Sequence, residues 1–317
     1  MGAADIVLRK YWARRPEKRR SLRAGAAEAA LHMYGSKKVF IDPEACQRYI
    51  EEMREENKKE VHVSPLMIGT LHLQEENFEG MQLFTINSDA DNPERILYLH
   101  GGSYITQAIT GHWFFLSQIA AKLDIQAMMP VYPLAPDHQF EETYTLLDHL
   151  YTKLAEEMDL DNLTIMGDSA GGGLAVGFCE YLAKTGRRQP GHLILLSPWL
   201  DISMSNPDMV EIEPNDPMLG IYGLREMGKL WAGDTDPKDY RLSPLFGDVS
   251  GLRNVLLFTG TREIFYPDIW AFYQKLKAAG VFCEFHIGDG LNHVYPIYPI
   301  PEGAQAEKRI CEVIDYV

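Results

Sequence analysis

Cysteine is scarce in this chain. There are four in 317 residues, at Cys46, Cys179, Cys283 and Cys311, with no C-x-x-C pair. That excludes a disulfide framework and a zinc ribbon, and it reads as reduced, mostly buried thiols of a cytoplasmic protein. No apolar run approaches the ~20 residues that cross a bilayer. The N-terminus lacks the apolar stretch of a secretory leader, so neither membrane insertion nor export is expected. Positive charge is also short: 30 Lys and Arg against 45 Asp and Glu leave a net charge of −15. That balance argues against nucleic acid or an anionic membrane as a partner. The basic cluster Arg9, Lys10, Arg14, Arg15, Lys18, Arg19 and Arg20 has no repeated aromatic interleaving and is read as a solvated helix face. Neither H-E-x-x-H nor G-x-x-x-x-G-K occurs, so no metal and no cofactor is expected. No internal repeat or low-complexity tract is present.

Hydrophobic residues at 46% and charged residues at 24% suit a globular protein with a sizeable core, built as one large domain with a moderate insertion. Residues 5–34 pattern as helix, and Asp42-Pro43 starts another helix through Tyr49, Ile50 and Met53, with Asp42 as N-cap. Residues 68–73 and 81–86 alternate apolar and polar positions and predict a hairpin. Short apolar strands at 96–99, 125–131, 163–167, 193–196, 255–258 and 282–287 then alternate with helices at 112–123, 141–158, 170–184, 268–279 and 302–316. The Met- and Pro-rich stretch 203–236 breaks this alternation and is too long for a plain loop, so it is read as a small helical insertion. Strand–helix alternation implies an α/β fold with a mostly parallel central sheet flanked by helices, whose sites lie at the carboxyl ends of the strands.

One such end carries Gly167-Asp168-Ser169-Ala170-Gly171, between an apolar run and a small-residue helix pattern. In that setting G-x-S-x-G reads as a nucleophile elbow. The serine takes a strained backbone conformation, and the glycines make room for the adjoining strand and helix. A serine hydroxyl needs a general base, and the base needs an orienting carboxylate. His293, on a loop after the last strand, is the candidate base. Glu263, on the loop after strand 255–258, is the preferred acid; Asp268 is the rival, although an N-cap role explains it, and Asp289 is a weaker one. The oxyanion of a tetrahedral intermediate needs N–H donors. Ala170 supplies one candidate amide, and Gly102 and Ser103 supply others, with Gly101 shaping their turn. His100 and Asp168 read as ordering residues rather than catalytic ones. Tyr104, Trp199, Met218 and Tyr222 are candidate substrate-binding residues; for the Met and aromatic residues of 203–236 the ordinary alternative is core.

Taken together, His100-Gly101-Gly102, Tyr132-Pro133-Leu134-Ala135-Pro136-Asp137, Gly167-Asp168-Ser169-Ala170-Gly171-Gly172, Ser197-Pro198-Trp199-Leu200-Asp201 and Asn292-His293 resemble the hormone-sensitive lipase family of α/β-hydrolase carboxylesterases. The resemblance covers about residues 80 to 317. It implies the α/β-hydrolase fold with a helical cap, and a preference for short- to medium-chain acyl esters. The expected organisation is then 1–60 as the N-terminal part of the cap, 61–202 and 237–317 as the hydrolase core, and 203–236 as the cap insertion. Two positions depart from the family pattern. Ser103 stands where the family has the third glycine of His-Gly-Gly-Gly, and Glu263 stands where it has an aspartate. The implied partner is a small-molecule ester, with the oligomeric state open, a homo-oligomer included. An amidase such as an arylformamidase could use the same triad. A non-catalytic receptor of the gibberellin-receptor kind is disfavoured, because those relatives lack the histidine that His293 supplies here.

Overall fold

The structure, a computed structural model, describes residues 20–315. The leading residues of the expected 5–34 helix and all of the basic cluster but Arg20 lie outside the described residues. Its centre is an eight-stranded sheet, ordered β1-β2-β4-β3-β5-β6-β7-β8. The strands are β1 Leu73–Phe78, β2 Met81–Ile86, β3 Arg95–Leu99, β4 Gln126–Pro130, β5 Leu163–Asp168, β6 His192–Leu196, β7 Val255–Gly260 and β8 Cys283–Gly288. β1, β2 and β4 pair antiparallel, and every ladder from β4 through β8 is parallel.

The apolar runs of the sequence become strands buried on both faces. Successive side chains leave for opposite cores, as the strand period of two requires. Leu97, Leu99, Ile165, Leu195 and Leu257 enter one core, while Ile96, Tyr98, Met166, Ile194 and Phe258 enter the other. The parallel register sets Leu99 beside Gly167 and Leu196 beside Phe258. The loops leaving β3, β5, β6 and β7 therefore emerge side by side.

The main helices are α1 Leu22–Tyr34, α2 Pro43–Glu56, α3 Thr110–Leu123, α4 Phe140–Glu157, α5 Ser169–Lys184, α6 Ile221–Ala232, α7 Tyr266–Ala278 and α8 Pro301–Ile314. α2 starts as its sequence predicts: Pro43 takes the first position and the Asp42 carboxylate accepts from the Ala45 amide at 3.0 Å, which satisfies one of the helix's free N-terminal donors. Two expectations are corrected. The first strand of the hairpin is 73–78, not 68–73, because Ser64 caps a single helical turn Pro65–Ile68 that closes at Gly69, φ 64°. Asp268 does not cap α7: the helix begins at Tyr266, and Asp268 is buried inside its first turn.

Residues 203–236 hold a short helix, Met209–Ile212, and α6. α6 packs closely on the chain before α2. A Cβ on Gly223 would come within 2.6 Å of Phe40 Cα. The Lys37 ammonium donates to the carbonyls of Glu213 and Asp216, the latter at 2.7 Å. No helix among the described residues is long and apolar enough to cross a membrane.

Candidate active site

The site is built on the turn between β5 and α5. Ser169 has φ 52°, a left-handed conformation that an L residue holds only when its surroundings impose it. The glycines on either side have a steric reason. A Cβ on Gly167 would lie 2.5 Å from the Gly171 carbonyl oxygen, and one on Gly171 would lie 2.0 Å from that of Leu99. The Trp199 amide fixes the turn from outside by donating to the Ser169 carbonyl at 2.8 Å.

The structure brings Ser169, His293 and Glu263 together. His293 Nε2 lies 2.9 Å from Ser169 Oγ, and Nδ1 lies 2.5 Å from Glu263 Oε2. All three side chains are buried, Glu263 with no exposed surface. The other Glu263 oxygen, Oε1, accepts from Ser197 Oγ at 2.8 Å, Thr259 Oγ1 at 2.7 Å and the Gly260 amide at 2.7 Å. A carboxylate only accepts, so Nδ1 carries the imidazole proton and Nε2 presents its lone pair to the serine hydroxyl. Ser197 Oγ also accepts from the Val294 amide at 3.0 Å. It therefore clamps the acid and the residue after the histidine with one hydroxyl. Phe265 meets the His293 ring edge-on at 5.1 Å.

The rival acids sit elsewhere. Asp268 Oδ1 accepts from Asn206 Nδ2 at 2.7 Å, and Oδ2 is buried without a partner. Burial, with a smaller contribution from Asp201, raises its pKa to about 7. Asp289 follows β8, and the two ring nitrogens of His293 go to Glu263 and Ser169 instead.

Asp168 ties the elbow to the loop after β3. Its Oδ1 accepts from the Gly101 amide and from Tyr98 Oη, both at 2.8 Å, and its Oδ2 lies 3.2 Å from His112 Nε2. His112 Nδ1 accepts from the Ile109 amide, so Nε2 is the donor toward Asp168. Burial pushes the Asp168 carboxyl up, but His112, Tyr98 and the Gly101 amide outweigh it and hold it below the usual carboxylate range. The Gly101 amide is thus committed to Asp168 and is not a free donor. The amides of Gly102, Ser103 and Ala170 have no partner among the described residues. Gly102 and Ser103 both take positive φ, 129° and 56°. Only glycine fits at 102, where a Cβ would meet the Thr106 carbonyl oxygen at 2.3 Å. His100 orders this loop: Nδ1 lies 2.7 Å from the Gly101 carbonyl oxygen and the ring stacks on Tyr132 at 4.5 Å. Burial lowers its pKa to about 4, so it stays neutral.

Of the residues read as substrate-binding, Tyr104 and Trp199 are core instead. Tyr104 is buried, donates to the Ala170 carbonyl at 2.8 Å and stacks between Trp231 and Trp199. Trp199 is fully buried and donates to the Asp201 carbonyl. Their aromatic area makes them supports beneath the elbow. Met218 is half-buried and takes the Tyr298 hydroxyl on its sulfur at 3.1 Å, while Tyr222 is exposed on α6.

Several site residues escaped the sequence reading. Ser197 sits in the quoted Ser-Pro-Trp run, but its hydroxyl bridge spans 66 and 97 residues to its two partners. Thr259 and His112 gave no local signal. Neither did Asp216, which bonds the amide next to Glu263 from 48 residues away.

A family model for the α/β-hydrolase fold matches residues 96–297. Among curated proteins the chain is similar to an esterase of Acinetobacter venetianus, with 28% identity over 247 residues, covering 77% of this chain and 82% of that one. It is also similar to an acetyl-hydrolase of Streptomyces hygroscopicus, with 29% identity over 214 residues, covering 67% of this chain and 72% of that one. The crystal structure of a candidate esterase from Staphylococcus aureus matches with a TM-score of 0.84 at 30% identity, covering 88% of this chain and 95% of that one. The homologue of hormone-sensitive lipase EstE7, from a metagenome library, matches with a TM-score of 0.79 at 25% identity, covering 92% and 98%.

Proposed function

From the premise that the chain belongs to the α/β-hydrolase family, as an esterase- and lipase-type member of it, we propose a serine carboxylesterase that works through an acyl-enzyme. The observation that carries the reading is the unbroken relay from Ser169 Oγ through His293 to Glu263. Ser169 Oγ attacks the ester carbonyl while His293 Nε2 takes its proton. The amides of Gly102, Ser103 and Ala170 receive the oxyanion, two of them from a strained loop and one from the N-terminus of α5. The imidazolium, held by Glu263, returns its proton to the departing alkoxide. A water then repeats the sequence on the acyl-enzyme and releases the acid. Ser103 keeps an N–H where the related pattern has glycine, and Glu263 reaches His293 despite its extra methylene.

The likeness to an acetyl-hydrolase supports a short- to medium-chain acyl group. The Lys37 and Phe40 contacts support a cap in which the segment before residue 60 and the 203–236 insertion act together over the 61–202 and 237–317 core. The partner is a small-molecule ester, the chemistry needs no cofactor, and the four unpaired cysteines suit the cytoplasm. Hydrolysis of p-nitrophenyl esters from acetate to decanoate tests this reading. The expected result is highest kcat/KM at the short to medium lengths and loss of turnover in Ser169→Ala. Wild-type turnover in that variant would overturn it.

A further inference from the structure

Asp216 lies in the turn between the Met209–Ile212 helix and α6, and it is fully buried. Its Oδ1 accepts from the amides of Met218 at 2.8 Å and Leu219 at 2.9 Å, which closes its own turn. Its Oδ2 points out of that turn and accepts from the Ile264 amide at 2.9 Å. Ile264 follows Glu263 directly, so this bond holds the peptide that carries the acid.

Among the described residues no cationic side chain is bonded to the carboxylate. The Lys37 ammonium goes to the backbone carbonyls of Glu213 and Asp216. Three amides are therefore its hydrogen-bond partners, an arrangement that favours a fixed geometry over a strong ion pair. The titratable groups facing it are His293 and Tyr298 from the core, with Glu263 on the bonded loop. A turn that needed only local closure would use Oδ1 alone. The second oxygen ties the insertion to the acid loop.

We propose that Asp216 is a positioning residue for the triad, its carboxylate holding the Ile264 amide so that the Glu263 side chain stays beneath His293. The inference rests on the reading of Ser169, His293 and Glu263 as the triad. It adds that the insertion fixes the acid as well as covering the site.

The test uses the full-length protein with Asp216→Asn and Asp216→Ala, assayed on p-nitrophenyl butyrate. The asparagine keeps one acceptor oxygen for the Met218 and Leu219 amides and places an NH₂ donor against the Ile264 amide. If Asp216→Ala fails to fold, Asp216→Asn therefore still carries the test. The expected result for Asp216→Asn is a kcat lower by about 10-fold or more, from misplacement of the acid, with KM changed less than about 3-fold. A merely structural residue would not lower kcat while leaving KM in place. Wild-type kcat in Asp216→Asn would overturn the inference, whatever the melting temperature. Labelling of wild-type Ser169 by a fluorophosphonate separates the two readings. An unlabelled, inactive wild type defeats the proposed function and this inference with it, whereas a labelled, active wild type with an indifferent Asp216→Asn defeats this inference alone.

Discussion

The loop after β7 and the first turn of α7 each hold a buried carboxyl group, five positions apart, and the two could hardly differ more in chemistry. Glu263 is surrounded by donors: Ser197, Thr259, the Gly260 amide and His293 account for both its oxygens. Asp268 has one donor, Asn206, and one oxygen without a partner. Burial raises an unpaired carboxyl until it keeps its proton near neutrality, as at Asp268. An anion that must orient a histidine needs the opposite surroundings. Burial alone therefore does not mark the acid; the bond to His293 Nδ1 does. The same contrast runs along α5. Asp168, before its first turn, is bonded by Tyr98, Gly101 and His112. Glu180, three turns on, is equally buried, and neither of its oxygens has a hydrogen-bond partner among the described residues.

The largest expected effect is at Glu263. Glu263→Gln should lower kcat by about 10³- to 10⁴-fold, since an amide facing Nδ1 favours the wrong tautomer. Steady-state kinetics with melting curves alongside would separate this from unfolding, and a loss under 10-fold would remove Glu263 from the triad. The next effect concerns stability. Burial raises the Glu180 pKa from 4.5 to about 8, against a lowering contribution from Lys275. Above pH 4.5 the unfolded chain releases this proton while the folded chain keeps it, so the group's contribution to stability is full below 4.5 and declines until about pH 8. Glu180→Gln should remove a decline on the order of 3 kcal/mol between pH 5 and 8. Denaturant titrations across that range would read it, and parallel slopes for variant and wild type would contradict it. Gly171→Ala should cost more than about 2 kcal/mol, because its Cβ meets the Leu99 and His100 carbonyl oxygens at 2.0 and 2.4 Å. Soluble yield and melting temperature measure that cost. The smallest effect is at Asp268, where Asp268→Asn should leave kcat within about 3-fold of wild type.

How much of this was legible in the sequence follows from how local each signal is. The elbow, the His-Gly-Gly turn and the loop histidine announce themselves within a few residues, because the constraints on them are local sterics and chain order. Strands 96–99, 193–196 and 255–258 were legible for a similar reason: a strand buried on both faces is a continuous apolar run. The edge was harder. β1 carries Glu75 and Glu76 and has no fully buried residue, so its apolar pattern is weak, and the strand was expected several residues too early. Partnerships across the sheet left no trace. Ser197 meets Glu263 and Val294, and Asp216 meets Ile264, only because parallel strands deliver distant loops to one edge. Tyr104 and Trp199 were misread for a related reason. Aromatic residues beside catalytic motifs fit a pocket and a supporting core equally well until packing decides.

The relay from Ser169 through His293 to Glu263 makes one demand that an intact-mass measurement answers. After incubation with a fluorophosphonate, wild-type protein should gain one adduct, mapped to Ser169, with parallel loss of esterase activity. His293→Ala and Glu263→Gln should react at least about 100-fold more slowly, Asp268→Asn at the wild-type rate, and Ser169→Ala not at all. An adduct on Ser169→Ala, or equal labelling rates across all the variants, would contradict the account.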